Sequence, residues 1–210
     1  SSDLDVGKLN QFRIMDNNYS ANRILVSNPN AIQEAKIIIQ NGGTIVYPTD
    51  TLYGFGVDAT NEKAINNLNH IKKRTGPISV LINNLEMAFA ISKLSPKQKK
   101  MVAEKLQGSN TVIVPLKTGF VHPTISGQDN TIGLRIPNHN FGIDLVSQLG
   151  KPITTTSVNH SGMPPLNKVD DIMELFGSSF DLLIDAGDLP SSKGSKVIKL
   201  EETHFEIIRK

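Results

Sequence analysis

The segment GGTIVYPTDTLYGFG, residues 42–56, decides the fold class of this chain. Its first glycine pair ends a predicted helix, and the β-branched run at 44–47 is typical of a strand. Pro48 ends that strand, and a hydroxyl–acid–hydroxyl triplet follows before two further glycines. Because open α/β sheets bind ligands beyond the carboxyl ends of their strands, this loop is a candidate binding site. The alternative is an ordinary strand and turn in which Gly54 and Gly56 serve only the backbone angles.

Short apolar runs alternate with helical patterns on both sides of this segment. The continuous apolar run ISVLI at 78–82 suits a strand that is covered on both faces. Strands that alternate with helices predict an α/β or mixed α+β fold. The predicted helices are 31–41, 61–73, 95–106, 143–149 and 169–176. The predicted strands are 44–47, 78–82, 111–116, 131–136, 152–156, 182–184, 197–200 and 205–208.

The composition indicates a globular chain and excludes several classes of site. Of the 210 residues 38% are hydrophobic, and 22 Lys and Arg against 20 Asp and Glu leave a net charge of +2. That balance lacks the broad positive excess that is typical of nucleic-acid-binding proteins. Because the sequence has no cysteine, it excludes disulfide scaffolds, thiolate zinc sites, iron–sulfur clusters and a cysteine nucleophile.

The N-terminal residues and the apolar runs bear on location and domain organisation. Residues 1–16 contain three acids and no apolar run, so they match neither a signal peptide nor a transit peptide. The apolar runs are far shorter than the roughly 20 residues that a membrane-spanning helix needs. We therefore expect a cytoplasmic protein without a membrane segment. Residues 1–22 are expected to form a loosely attached leader, and residues 23–210 a single domain.

Three cations, Lys72, Lys73 and Arg74, stand at the end of a predicted helix. The helix dipole favours cations at this end, which is a sufficient structural reason for them. The functional interpretation is a phosphate clamp, in which arginine offers a planar fork to phosphate oxygens and lysine a point charge. A Thr-Gly-Pro turn follows directly and is typical of a loop that closes over a ligand.

The segment TTTSVNHSGMPP, residues 154–165, places short polar side chains at the end of a predicted strand. Such side chains form turns by bonding their own backbone, and they also hold anionic or amino-acid ligands without adding charge. Their density favours a ligand site. The sequence has neither a P-loop nor a dinucleotide-binding glycine fingerprint. Its five histidines lack the spacing of metal ligands, and no Ser-His-Asp arrangement is supported.

Together these segments resemble the YrdC/TsaC family of L-threonylcarbamoyladenylate synthases over residues 23–209. Residues 42–56 are similar to the family's G-G-x-x-x-x-P-T-[ED]-T-x-Y-G-L-G. Lys72 and Arg74 resemble its K-x-R, and the SVNHSG segment resembles its S-x-N-x-S-G. The remaining similarities are those of TIGLRIP at 131–137 to T-x-x-x-R-x-P, of SKV at 195–197 to S-T-V, and of IIR at 207–209 to I-x-R.

The resemblance implies a twisted open sheet flanked by helices, with a concave basic cavity, and a defined activity. Members of the family make threonylcarbamoyl-AMP and pyrophosphate from L-threonine, bicarbonate or CO2, and ATP. The product serves the threonylcarbamoyl modification of the tRNA adenosine beside the anticodon, so the tRNA transfer machinery is an implied partner. Mg²⁺ is implied as a cofactor that arrives with ATP, without a metal site formed by the protein.

The resemblance also implies a role for individual residues. Lys72 and Arg74 are the implied catalytic residues, because the reaction asks for positioning and charge neutralisation. The residues implied to bind ATP are Lys72, Arg74, Thr131, Ser157, Asn159 and Arg209. The residues implied to bind L-threonine are Thr51, Arg135, Thr155 and Ser195.

Two other functions stay open at this point. A paralogue of the same fold without this activity would bind double-stranded RNA, weakly, or a nucleotide, and the lysine-rich stretch 93–105 would supply a basic patch. A solvated helix face accounts for the same lysines. The second alternative is a carbamoyl-transfer domain of the hydrogenase-maturation type. The zinc-finger and acylphosphatase-like portions of those proteins have no counterpart in this sequence.

Overall fold

The computed structural model describes residues 21–106 and 109–210, which form six α-helices and eleven β-strands. Residues 1–20 of the predicted leader lie outside the described residues, and the division into a leader and one domain stays a prediction. No helix in the described part is long and apolar enough to cross a membrane. The helices are α1 (Ala31–Gln40), α2 (Glu62–Lys72), α3 (Leu85–Ile91), α4 (Pro96–Leu106), α5 (Asn140–Leu149) and α6 (Val169–Phe176). The strands are β1 (Asn22–Leu25), β2 (Ile45–Pro48), β3 (Tyr53–Gly56), β4 (Val80–Leu81), β5 (Asn110–Pro115), β6 (Thr131–Arg135), β7 (Ile153–Thr154), β8 (Thr156–Ser157), β9 (Leu182–Asp185), β10 (Lys196–Leu200) and β11 (Phe205–Arg209).

The predicted mixed α/β class is confirmed, and the strands divide between two sheets. The five-stranded sheet has the order β1-β9-β2-β3-β8, and the six-stranded sheet has the order β11-β10-β5-β6-β4-β7. Both sheets mix directions: β2 runs parallel to β9 but antiparallel to β3, and β5 runs parallel to β10 but antiparallel to β6. The single strand predicted over 152–156 is therefore two short strands, because the chain passes at Thr155 from one sheet to the other.

The ends of several helices follow from local sequence signals. The side chain of Asn61 accepts a hydrogen bond from the Ala64 N–H at 3.2 Å and caps α2. Ser95 and Gln98 form a reciprocal capping box at the start of α4, with bonds of 3.3 and 3.0 Å. The helix α5 begins three residues before its predicted start, because the His139 imidazole accepts from the N–H of the second helical residue at 3.3 Å.

The strands β1 and β3 and the helix α3 were not predicted from the sequence. Glycines had indicated a loop in the region of β3, but this strand pairs antiparallel with β2. A Cβ at Gly56 would lie 2.9 Å from Cε1 of Tyr47, whose ring is fully buried. Glycine is therefore required here for the close approach of a ring, not for a turn.

Two buried apolar clusters fix the sheets and helices in place. The larger contains Phe55 of β3, whose ring meets Phe176 of α6 edge to face with centroids 5.4 Å apart. The smaller contains Tyr47 of β2 together with Ile39 of α1 and Leu145 of α5. Burial of each such side chain contributes about 1.5–3 kcal/mol to the free energy of unfolding. The strands β2 and β3 are therefore held firmly, and so are the starting points of the loops that follow them.

Candidate active site

A concave cavity of about 400 Å³ takes its wall from both sheets. Residues of β3 and β8 line it from one sheet, and residues of β5, β6, β10 and β11 line it from the other. Thr155, at the crossing between the sheets, lies in the wall and donates its backbone N–H to the carbonyl of Ser79 at 2.8 Å. The three polar segments singled out in the sequence all contribute residues to this wall.

Seven of the ten residues with a predicted ligand role line the cavity. Of the other three, Thr51 contacts a wall residue, accepting from Arg135 at 2.8 Å. Lys72 is buried directly behind the wall. Thr131 is not a wall residue within the described chain, and its hydroxyl donates to the Gln128 carbonyl at 3.0 Å. The seven wall residues are Arg74, Arg135, Thr155, Ser157, Asn159, Ser195 and Arg209.

Lys72 holds the segment that carries Ser157 and Asn159. Only 2% of Lys72 is exposed, and its Nζ donates to the Ser157 carbonyl at 2.5 Å and to the carbonyl and Oδ1 of Asn159 at 3.0 Å each. The Ser157 hydroxyl donates to the same Oδ1 at 2.7 Å. Burial and the nearby charge of Arg74 lower the pKa of Lys72 to about 8. All three ammonium protons thus hold the backbone at Ser157 and Asn159 and the side-chain amide of Asn159 in the cavity wall.

Arg135 is held by a carboxylate to which the sequence analysis gave no role. Its Nη2 donates to Oδ1 of Asp50 at 2.7 Å, and the Ser109 hydroxyl donates to the other carboxylate oxygen at 2.9 Å. Among the described residues the buried Nε of Arg135 has no hydrogen-bond partner. Asp50 is the acid of the hydroxyl–acid–hydroxyl triplet at residues 49–51. Its place between two hydroxyl residues was the sequence feature that could have indicated its role. Asp50 therefore orients the guanidinium in the cavity wall.

The lowered pKa of Asp50 leads us to expect that the folding stability falls at acid pH. Burial alone would raise the pKa of Asp50, but the Arg135 guanidinium and the Ser109 hydroxyl together hold it below its ordinary value of 3.8. The unfolded chain then binds more protons than the folded one at acid pH, so this stabilisation is present above about pH 4 and is lost as the pH falls through the folded pKa. In urea unfolding, we expect the free energy of the wild type to fall more steeply than that of Asp50→Asn between about pH 5 and pH 2.

The matched control for this measurement is Asp170→Asn. That carboxylate also lies near an arginine, but its side chain is 94% exposed. Exposed ion pairs contribute little to stability, so the control is expected to follow the wild-type pH dependence. Equal slopes for the wild type and Asp50→Asn would contradict the prediction.

Two further arginines are held by backbone carbonyls at the cavity. Nη2 of Arg74 donates to the Pro77 carbonyl at 2.6 Å across a turn in which Gly76 has a φ of 112°. Nη2 of Arg209 donates to the Ser195 carbonyl at 2.9 Å, and burial together with Arg135 lowers the pKa of Arg209. The last strand of the chain thereby closes one side of the wall.

The chemistry of the wall suits an anionic ligand. Its charged members are Arg74, Arg135, Arg209 and Lys193, and no carboxylate lines it among the described residues. Sequence reasoning missed Lys193, which lies two residues before the predicted Ser195. Hydroxyls and one amide complete the polar surface, and this donor set matches phosphate and carboxylate groups. Among the described residues, no three His, Cys, Asp or Glu side chains are grouped so that they would hold a metal ion.

Comparison with known proteins identifies relatives of this chain. The profile of the Sua5/YciO/YrdC family, described as "Telomere recombination", matches residues 37–210. The threonylcarbamoyl-AMP synthase of Buchnera aphidicola is 35% identical over 144 residues, which cover 66% of this chain and 75% of that protein.

Two solved structures share the fold. Sua5 of Pyrococcus abyssi, solved in complex with L-threonine, matches with a TM-score of 0.77 at 28% identity and covers 85% of this chain. The match spans 53% of that Sua5 chain, so the present chain corresponds to about half of it. YciO of Escherichia coli matches with a TM-score of 0.80 at 25% identity over 90% of this chain and 93% of its own. Since the family profile covers most of the sequence and the two structures agree with it, the chain belongs to the Sua5/YciO/YrdC family.

Proposed function

We propose that this protein forms threonylcarbamoyl-AMP and pyrophosphate from L-threonine, bicarbonate and ATP. The observation that carries the proposal is a cavity wall with four cationic side chains and, among the described residues, no carboxylate. ATP and the carboxylate of threonine are both anionic and need such a wall. The names of relatives support the same activity, since the Buchnera protein is a threonylcarbamoyl-AMP synthase and the Pyrococcus protein was solved with L-threonine.

The two substrates divide the wall between them. We assign the amino acid to the side of Arg135, where Thr51, Thr155 and Ser195 supply hydroxyls and the guanidinium faces a carboxylate. ATP is assigned to the side that is formed by Arg74, Ser157, Asn159 and Arg209. The role of Lys72 is to hold Ser157 and Asn159, and Thr131 keeps its predicted ATP role without a contact in the wall.

The reaction needs two steps, and both conserve charge and atoms. Bicarbonate takes up a proton and loses water to give CO2. The neutral amine nitrogen of threonine attacks the carbon of CO2 and releases a proton to solvent, which leaves a carbamate. A carbamate oxygen then attacks the α-phosphorus of ATP in line. The bond from that phosphorus to the bridging oxygen breaks, and pyrophosphate leaves with the electron pair. Mg²⁺ arrives with ATP, and the protein contributes positioning and positive charge.

The test is pyrophosphate release from ATP and Mg²⁺, with and without L-threonine and bicarbonate. We expect release to require both co-substrates. Ser157→Ala is expected to lower it by about 10²-fold, because a polar group that orients ATP is lost. Ser161→Ala, an exposed hydroxyl of the same segment outside the wall, is the control and is expected to match the wild type.

The same assay separates the alternatives that the sequence left open. Tight ATP binding without any threonine-dependent release would identify a paralogue that has the fold but lacks the activity. RNA binding stays a prediction from the lysines of α4, one of which lies with its Nζ 5.5 Å above the ring of Phe89. We also propose that the product passes to the tRNA-modifying machinery and that the protein is cytoplasmic.

A further inference from the structure

Lys193 differs from every other cation at the cavity. The three arginines of the wall each donate to a protein acceptor at 2.9 Å or less. Lys72, behind the wall, uses all its donors on Ser157 and Asn159. Among the residues that the structure describes, no acceptor lies within hydrogen-bond distance of the Lys193 ammonium. Among the charged wall residues that the structure describes, Lys193 is therefore the one whose donors are all available to a ligand.

The loop between β9 and β10 presents this lysine and is anchored at both ends. At its start, the Tyr53 hydroxyl donates to the Gly187 carbonyl at 2.7 Å and accepts from the Ala186 N–H at 2.9 Å. At its end, the Ser195 hydroxyl lies 2.8 Å from that of Thr111. The backbone of the loop is therefore held at the edge of the cavity. The Lys193 side chain is exposed there, and its ammonium is not fixed by the loop.

The residue after Lys193 explains how the loop passes the wall so closely. Gly194 has a φ of 81°, which favours glycine, and a Cβ there would lie 3.1 Å from Cδ1 of Leu52. The same Cβ would lie 3.7 Å from Nη2 of Arg209. Lys193 therefore extends from a backbone that runs beside an arginine on the side that we assign to ATP.

We propose that the Lys193 ammonium binds the β- and γ-phosphates of ATP and neutralises charge on pyrophosphate as it leaves, an inference that rests on the proposed function. Threonine carries one carboxylate, for which Arg135 is already oriented by Asp50. The triphosphate carries several negative charges, and its bridging oxygen gains more as the bond to the α-phosphorus breaks. A lysine serves such a group as a point charge without fixed geometry.

Loss of the Lys193 ammonium is expected to affect both ATP binding and the rate of the reaction. An interaction that strengthens as charge develops on the leaving group lowers the barrier, so its loss reduces kcat. Because Lys193 is exposed to solvent and its ammonium is not fixed, we expect Lys193→Ala to reduce kcat/KM for ATP by about 10-fold, which is less than the roughly 10²-fold that a preorganised contact supplies. Lys193→Arg retains the charge and is expected to recover most of this loss.

The experiment compares Lys193→Ala, Lys193→Arg and Lys196→Ala in threonine-dependent pyrophosphate release. Lys196 is exposed and lies in β10 outside the wall, so it serves as the matched control. We expect the ATP constants to change in Lys193→Ala, while KM for threonine stays within about twofold and Lys196→Ala equals the wild type. A rise in KM for threonine with unchanged ATP constants would overturn the proposal, and so would unchanged constants throughout.

A binding measurement keeps this inference separate from the proposed reaction. Dissociation constants for ATP and for AMP are measured by calorimetry for the wild type and Lys193→Ala, without threonine. We expect the substitution to weaken ATP binding and to leave AMP binding unchanged, because AMP lacks the β- and γ-phosphates. Equal effects on both nucleotides would refute the phosphate contact even where the wild type releases no pyrophosphate. Failure of pyrophosphate release with a selective loss of ATP binding would refute the proposed reaction alone.

Discussion

Replacing Lys72 with methionine is expected to reduce threonine-dependent pyrophosphate release by about 10²-fold, although Lys72 lies behind the cavity wall. Methionine is of similar length and suits a buried position, but it donates no hydrogen bond. The backbone carbonyls of Ser157 and Asn159 would then lose this donor, and Asn159 Oδ1 would keep only the Ser157 hydroxyl. Each buried acceptor left without a partner costs about 1–3 kcal/mol, so the segment shifts to find new partners. A displacement of about 1 Å at positioned groups is enough for the expected loss of rate.

The neighbouring Lys73 supplies the matched control for this prediction. It is exposed, adopts a left-handed conformation with a φ of 52°, and does not line the cavity. We expect Lys73→Ala to retain wild-type kcat/KM. Urea unfolding is measured on both variants, and a normal unfolding free energy with a low rate would place the defect in the site.

A double-mutant cycle shows whether Lys72 acts through Ser157. Residues that act as one unit give strongly non-additive effects, so the Lys72→Met, Ser157→Ala double variant is expected to be about as slow as the slower single variant. Multiplied losses would indicate that Lys72 contacts ATP independently of Ser157. The cycle therefore distinguishes a positioning residue from a direct phosphate ligand.

The sequence predicted the elements whose signals are local. Asn61 and Ser95 mark helix starts by their capping side chains, and Gly42 marks the end of α1. The pattern of residues 154–165 also favoured a ligand site, because short polar side chains followed a predicted strand; that these residues bind a ligand stays a prediction. The predictions of helix starts and ends needed only neighbouring residues, which is why they agree with the structure.

Other features depend on residues that are distant in the sequence. Gly56 is required by the ring of Tyr47 in the adjacent strand, and nothing local distinguishes this glycine from one in a turn. The division of 152–156 between two sheets depends on pairing partners that lie more than 100 residues away in the chain for one strand and more than 70 for the other. Asp50 has a proposed role only because the fold brings it to Arg135. Lys193 has one only because the loop after β9 reaches the cavity. Tertiary contacts, rather than weak sequence signals, explain these differences.

Replacing Arg135 with alanine is expected to raise KM for L-threonine by about 10²-fold, because the cation that we assign to the threonine carboxylate is lost. The same substitution leaves Asp50 without its ion-pair partner, and the two side chains are only 7% and 10% exposed. An uncompensated buried charge is strongly destabilising, by about 3–5 kcal/mol. The single variant alone therefore mixes a loss of substrate binding with a loss of folding stability.

The double variant Asp50→Asn, Arg135→Ala separates these two effects. Asparagine removes the unpaired charge and still accepts a hydrogen bond from Ser109, so we expect most of the lost unfolding free energy to return. The KM for threonine is expected to stay high, because the guanidinium that we assign to the threonine carboxylate is still missing. Recovery of both quantities would mean that Arg135 serves stability alone and would remove threonine from this side of the cavity. Recovery of stability without recovery of KM would place the amino-acid carboxylate on Arg135, with Asp50 as the residue that orients it.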